Sequence, residues 1–146
     1  MKRTPLKRKK PKSKTRSWFV KELDRIAKTL AKERDGYVCQ KCGEKVCGSN
    51  AHGSHVIPVS AGQTLRWDLD NIKCLCMHDH IYWWHKNPLE SSAWFRSAFP
   101  ERYEYLQSMR NLMIKFPTTQ LEEFHEAVKG VKSWEKYKEL YKDMMA

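Results

Sequence analysis

Metal-ligand chemistry is concentrated in one stretch of this chain, and any fold has to accommodate it. Between Cys39 and His85 lie all five cysteines (Cys39, Cys42, Cys47, Cys74 and Cys76) and five of the six histidines (His52, His55, His78, His80 and His85). Cys39-x-x-Cys42-Gly43 reads as a zinc knuckle, and Cys76-x-x-Asp79 repeats its spacing more than thirty residues on. A chain that folds back on itself closes both pairs around one tetrahedral zinc ion. Cys39, Cys42 and Cys76 are the expected ligands. The fourth position stays open among Asp79, His78, Cys47 and Cys74, because Asp79 completes the spacing but gives a Cys3Asp set that is unusual for structural zinc.

A chain of 146 residues is expected to form one domain with a modest core, which a zinc site supplements. Mean hydropathy is −0.77, and no apolar run approaches the ~18 residues of a membrane span. The basic start has no apolar stretch behind it, so it does not read as a secretory signal. An odd number of cysteines with metal spacing implies a reducing, cytoplasmic compartment. The net charge of +11 is mostly a tail: nine of the 28 basic residues fall in residues 1–16, leaving 19 against 17 acidic over residues 17–146. Residues 1–16, with Lys7, Arg8, Lys9 and Lys10 at their centre, are expected to be a disordered arm that binds a polyanion, most simply the nucleic-acid backbone.

Beyond the arm, Phe19, Leu23, Ile26 and Leu30 recur at helical spacing, with Ser17 as the expected N-cap and Asp35-Gly36 as the stop. Val56–Val59 reads as a short strand that begins at His55. Leu65, Trp67 and Leu69 alternate ahead of the apolar segment Ile72–Met77, which reads as the second strand, and a helix is expected from about Met77 to Lys86. Asn87-Pro88-x-Glu90 opens another helix. The remainder, residues 88–146, reads as several helices, one with a Thr119/Glu122 capping box and a last one marked by Trp134, Tyr137 and Tyr141. Their aromatics, and His125, are assigned to the core.

The histidines require a second site. Hydrolysis of a phosphodiester needs a base near neutral pH and a cation beside the leaving oxygen. His55 is the candidate base, since imidazole is largely neutral at pH 7. His80 is the candidate metal ligand, and Asn71 is the candidate residue that fixes the loop between the strands.

In order and spacing, Ser54-His55-Val56-Ile57-Pro58, Asp70-Asn71-Ile72 and Leu75-Cys76-x-x-Asp79-His80, framed by Cys39-x-x-Cys42-Gly43, resemble the HNH, or ββα-metal, endonucleases over residues 33–87. Leu65-Arg66-Trp67 with the basic arm is more narrowly similar to the NinG (Rap) recombination nucleases of phages, which act on branched DNA. The resemblance implies an α+β, mostly helical domain over residues 17–146, with a zinc-framed ββα core, an N-terminal helix and several C-terminal helices. It implies His55, Asn71 and His80 as the catalytic set, a structural zinc on Cys39, Cys42 and Cys76 with Asp79 standing where many members carry the fourth zinc cysteine, and a catalytic Mg²⁺ or Mn²⁺ on His80. Ser54 stands where many members carry a metal-binding Asp or His, and His52, two residues earlier and on the same face of an extended segment, is the expected replacement. DNA, in a bacterial or phage-infected cell, is the implied partner. The competing expectation is a zinc-knuckle DNA-binding protein without catalysis, which has no need of His55 and His80.

Overall fold

A 19-residue helix, α1 (Arg16–Arg34), is the spine of the molecule. Its buried stripe, Phe19, Leu23, Ile26, Ala27, Leu30 and Ala31, follows the predicted periodicity. The computed structural model describes residues 13–146; Lys7, Arg8, Lys9 and Lys10 lie outside the described residues. The N-cap lies two residues before the expected Ser17: Thr15 takes that place and accepts the Trp18 N–H. Arg16, assigned by sequence to the arm, belongs to the fold, since its guanidinium donates to the Phe116 carbonyl at 2.7 Å and to Gln63 at 3.2 Å. At the far end Asp35 caps the helix, and Gly36 and Tyr37 both take positive φ, 66° and 53°. That reversal directs the chain into the knuckle.

Two strands, β1 (His52–His55) and β2 (Ile72–Leu75), pair antiparallel with His52 opposite Leu75 and His55 opposite Ile72. The first strand thus lies before Val56–Val59 rather than on it, and His55 ends it. The reason lies in the pairing: Pro58 has no N–H to give a ladder, and Asn71 takes the partner's place. Its side chain accepts the Ile57 N–H at 2.8 Å and donates to the Ile57 carbonyl at 3.0 Å. Leu65, Trp67 and Leu69 are buried but irregular rather than strand. β1 comes so close to α1 at Gly53 that a Cβ there would sit 2.8 Å from Lys28 Cγ, so only glycine fits.

The segment expected to be a helix from Met77 is helical but widely wound. Asp79–Trp84 is a π-helix, with the His85 N–H bonded to the His80 carbonyl at 3.3 Å. Four α-helices follow: α2 (Pro88–Ala98), α3 (Pro100–Met109), α4 (Thr118–Val128) and α5 (Trp134–Met145). Neither predicted capping box forms. Asn87 turns its amide back to the Trp83 carbonyl, Glu90 accepts from the Trp83 indole, and Pro117 rather than Thr119 stands at the start of α4.

Burial divides into two clusters. One joins α1 to α4, α5 and the Trp67–Ile72 loop; His125 sits at its edge, with its ring 5.0 Å from Trp18. The other joins the knuckle and β2 to Trp84, α2 and α3 through Cys39, Leu75, Phe95 and Leu106. The chain is thus mostly helical with one small sheet, an α+β arrangement. Among the described residues no helix is long and apolar enough to cross a membrane.

Candidate metal centre and histidine cleft

The two short-spaced pairs meet. One ligand atom from each of Cys39, Cys42, Cys76 and Asp79 lies within 4.8 Å of all the others, close enough to hold a metal ion and compatible with structural zinc. The knuckle is built by the backbone. Cys39 N–H donates to the Glu44 carbonyl, Gly43 N–H to the Cys39 carbonyl, and Val38 bridges Lys45. From the other side the Asp79 N–H points at Cys76 Sγ, 3.4 Å away, while the Cys39 thiol donates to Asp79 Oδ2 at 3.3 Å.

Geometry therefore selects Asp79 among the four contenders. His78 is largely exposed, Cys47 is exposed, and Cys74 lies buried across the strand pair from Gly53. Burial pushes the Cys76 thiol up to about 12, so binding a metal there displaces a proton. Burial would also raise Asp79, but hydrogen bonds from the Cys39, Cys76 and Cys42 thiols outweigh it and hold its carboxyl below the usual range.

A second cluster lies beside the first. His55, His80 and His85 line one cleft of about 480 Å³ with Lys28, Trp84 and Ser92. His55 Nε2 is 2.9 Å from the Arg66 carbonyl. A carbonyl only accepts, so Nε2 carries the proton and Nδ1 keeps the lone pair. Burial lowers the pKa of His55, so the ring is neutral at pH 7.

The loop that carries this carbonyl is held from four directions. Asp24 on α1 accepts two bonds from the Arg66 side chain, at 2.8 and 2.7 Å, and one from the Trp67 indole at 2.9 Å. Asn71 Nδ2 donates to the Leu65 carbonyl, and Tyr137 and Tyr141 on α5 donate to the carbonyls of Trp67 and Thr64. Asn71, 1% exposed, thus ties the end of β1 to this loop.

His80 stands between two other imidazoles. Its Nδ1 is 2.8 Å from His52 Nδ1, and its Nε2 is 3.0 Å from His85 Nε2. His52 Nε2 donates to the Ser49 carbonyl at 2.8 Å, which leaves its Nδ1 as an acceptor. One orientation of protons then satisfies the row: His80 Nδ1–H to His52, and His80 Nε2 free as an acceptor for His85. Burial, with the nearby His85, His52, Lys73 and Lys28 charges, brings His80 down to about 4. His52 therefore adjoins His80 from outside the set that lines the cleft.

His85 falls outside the expected catalytic set. In an α-helix a residue five positions on is turned about 140° away. The π winding closes an i→i+5 bond instead and brings the two rings together. Lys73 was missed by sequence reasoning. It is fully buried, with its Nζ 3.1 Å from Ser54 Oγ and 3.2 Å from the Trp84 ring centroid. Burial lowers its pKa well below the ordinary lysine range.

No protein-family model, curated protein or solved structure matches this chain. What the site does must be argued from its own residues. These supply a neutral base with a fixed tautomer, a row of imidazoles and a cleft with one lysine, Lys28, next to four residues close enough to hold a metal ion.

Proposed function

We propose that this chain is a metal-dependent DNA endonuclease of the HNH type, with its zinc in a structural role. The observation that carries the reading is the His55 tautomer: Nε2–H is spent on the Arg66 carbonyl, so the free lone pair on Nδ1 belongs to a neutral ring in a cleft shared with His80 and His85. His55 Nδ1 takes the proton from a water molecule as its oxygen attacks phosphorus, and the bond from phosphorus to the 3′-oxygen breaks, leaving a 5′-phosphate. The Arg66 carbonyl accepts Nε2–H throughout and stabilises the imidazolium that forms. Asn71 and Asp24 keep that carbonyl in place.

His80 and His85 are the residues that would hold a divalent cation, which would take the place of the hydrogen bond between their Nε2 atoms. His80 and His85 face the cleft with Nε2 atoms 3.0 Å apart, and His52 holds the far nitrogen of His80, as residues behind a metal-binding histidine do. His52 thus reads as orienting the ligand rather than replacing the one missing at Ser54. A bound cation would supply charge stabilisation to the leaving 3′-oxygen. Imidazole ligands suit a first-row transition ion better than Mg²⁺.

A second reading, a zinc-knuckle DNA-binding protein without catalysis, draws on Ser54. That residue is fully buried and its hydroxyl is engaged by Lys73, so it contributes no ligand. Cleavage of supercoiled plasmid and of a four-way junction, with Mn²⁺, Mg²⁺ or chelator, separates the two. The nuclease reading expects Mn²⁺-dependent cutting by the wild type and none by His55→Ala. Binding without cutting by both proteins would leave the binding-module reading. A preference for the junction would extend the NinG likeness to substrate.

A further inference from the structure

The histidine cleft does not end at the histidines. Two further clefts, of about 670 and 590 Å³, adjoin it and share Ser92 and Tyr103 with it. One runs beneath Arg110 and Gln107 on α3 and its end, the other beneath Arg96 on α2. Among the described residues no Asp or Glu lines any of the three, although acidic residues nearly equal basic ones over residues 17–146.

Arg96 and Arg110 are exposed and have no carboxylate partner among the described residues. The Arg96 guanidinium lies 5.3 Å from the Tyr103 ring centroid, and Arg110 is bonded to Gln107 at 3.2 Å, so both are directed by neutral neighbours. Each cleft has the size of a single small-ligand site, about 300–1,000 Å³. That suits nucleotides taken one at a time rather than a duplex.

We propose that the three clefts form one groove that seats a single DNA strand leaving the cut, with Arg96 and Arg110 on its phosphates and Tyr103 at the junction. This rests on the nuclease reading for the position of the cut phosphate and adds a substrate class to it. A strand in this groove is unpaired, so the substrate carries a single-stranded overhang beside the scissile bond. Guanidinium groups on a strand of phosphates release counterions, and aromatic rings serve as platforms for unstacked bases.

The test is binding by the full-length chain in a His55→Ala background, which removes turnover. Fluorescence anisotropy compares a duplex bearing a single-stranded overhang with the blunt duplex over a range of salt. Arg96→Ala/Arg110→Ala should weaken the overhang complex roughly ten-fold and reduce the salt slope by roughly 0.7 for each lost phosphate contact. The blunt complex should stay within about two-fold of its parent. Lys132→Ala/Lys142→Ala, an equal charge change on exposed residues away from the clefts, is the control.

A loss no larger than the control's, or one equal for blunt and overhang duplexes, would overturn the groove. So would displacement of the overhang by a polyglutamate peptide as readily as by an oligonucleotide, which would assign the surface to an acidic protein. Because no cutting is measured, failure of wild-type cleavage on every substrate would remove the nuclease reading while this result stood on its own.

Discussion

The cysteine corner and the histidine cleft draw on the same ten residues, Cys76–His85, yet they are held in opposite ways. The corner is local. Each half is a tight turn that presents two ligands three residues apart, and the backbone bonds of Cys39, Gly43 and Asp79 lie within those turns. The cleft is assembled from afar, since His55 depends on a carbonyl held by Asp24 from α1 and by a loop pinned from α5. A metal corner of this kind can anchor a fold, whereas a base whose tautomer matters is oriented by the fold as a whole. The contrast predicts that the two can be broken separately.

The largest effect should come from the corner. Wild-type protein should carry about one equivalent of zinc by atomic emission, and Cys76→Ser should lose it and melt more than ~10 °C lower, because metal binding free energy is folding free energy at such sites. Zinc content unchanged in that variant would remove Cys76 from the site. His55→Ala should do the converse. It should keep its zinc and its melting temperature while cleavage falls by ~10²–10⁴, the usual contribution of a general base. A cleavage rate within a few-fold of wild type would refute the assignment of the base.

Between these extremes lies His52. If it orients His80, His52→Ala should leave zinc and fold intact and shift the Mn²⁺ concentration for half-maximal cleavage upward by ~10–100-fold. An unshifted metal dependence would leave the His52–His80 bond without a functional role. Acid should act on the same row of rings. His80 is brought down to about 4 in the folded chain against an ordinary value of 6.5, so the unfolded chain binds the extra proton first. The stability this reflects is present above pH 6.5 and is lost as pH falls towards 4. Melting temperature should therefore drop across that window, and less steeply in His80→Gln.

What was legible in the sequence follows the same division. The stripe of α1, the meeting of Cys39, Cys42 and Cys76, and the role of Asn71 as a loop-fixing amide all come from short spacings that the backbone preserves. Asp79 could be proposed but not chosen, because chemical habit argued against a carboxylate where geometry supplies one. The first strand was displaced towards Val56–Val59 because those residues have strand propensity, whereas pairing was decided by β2 and by Pro58. The approach of His85 to His80 was hidden because no residue pattern announced a π turn. Lys73 was hidden because a lysine between apolar neighbours reads as exposed, while Trp84 and Ser54 enclose it. Asp24 carries no sequence signal, because its three bonds to Arg66 and Trp67 join residues more than forty positions apart.

The smallest predicted effect tests the long-range half of the comparison directly. Burial lowers the pKa of His55, the bond to the Arg66 carbonyl opposes it, and the Lys28 charge across the cleft lowers it further. Lys28→Ala removes one positive charge from α1, which favours protonation of the ring. The His55 pKa should therefore rise towards its ordinary value, by a small step for a charge partly screened by solvent. The readout is the pH titration of the imidazole ¹⁵N resonances, which needs neither DNA nor cleavage. In a cleavage assay the same change should move the acid limb to higher pH, since the active ring is neutral and is lost as pH falls through the folded pKa. A purely structural role for Lys28, packed against Gly53, would alter stability and leave that titration in place. An unmoved titration would show that the base is set by burial and by its carbonyl alone, and α1 would then act on the cleft only through Asp24.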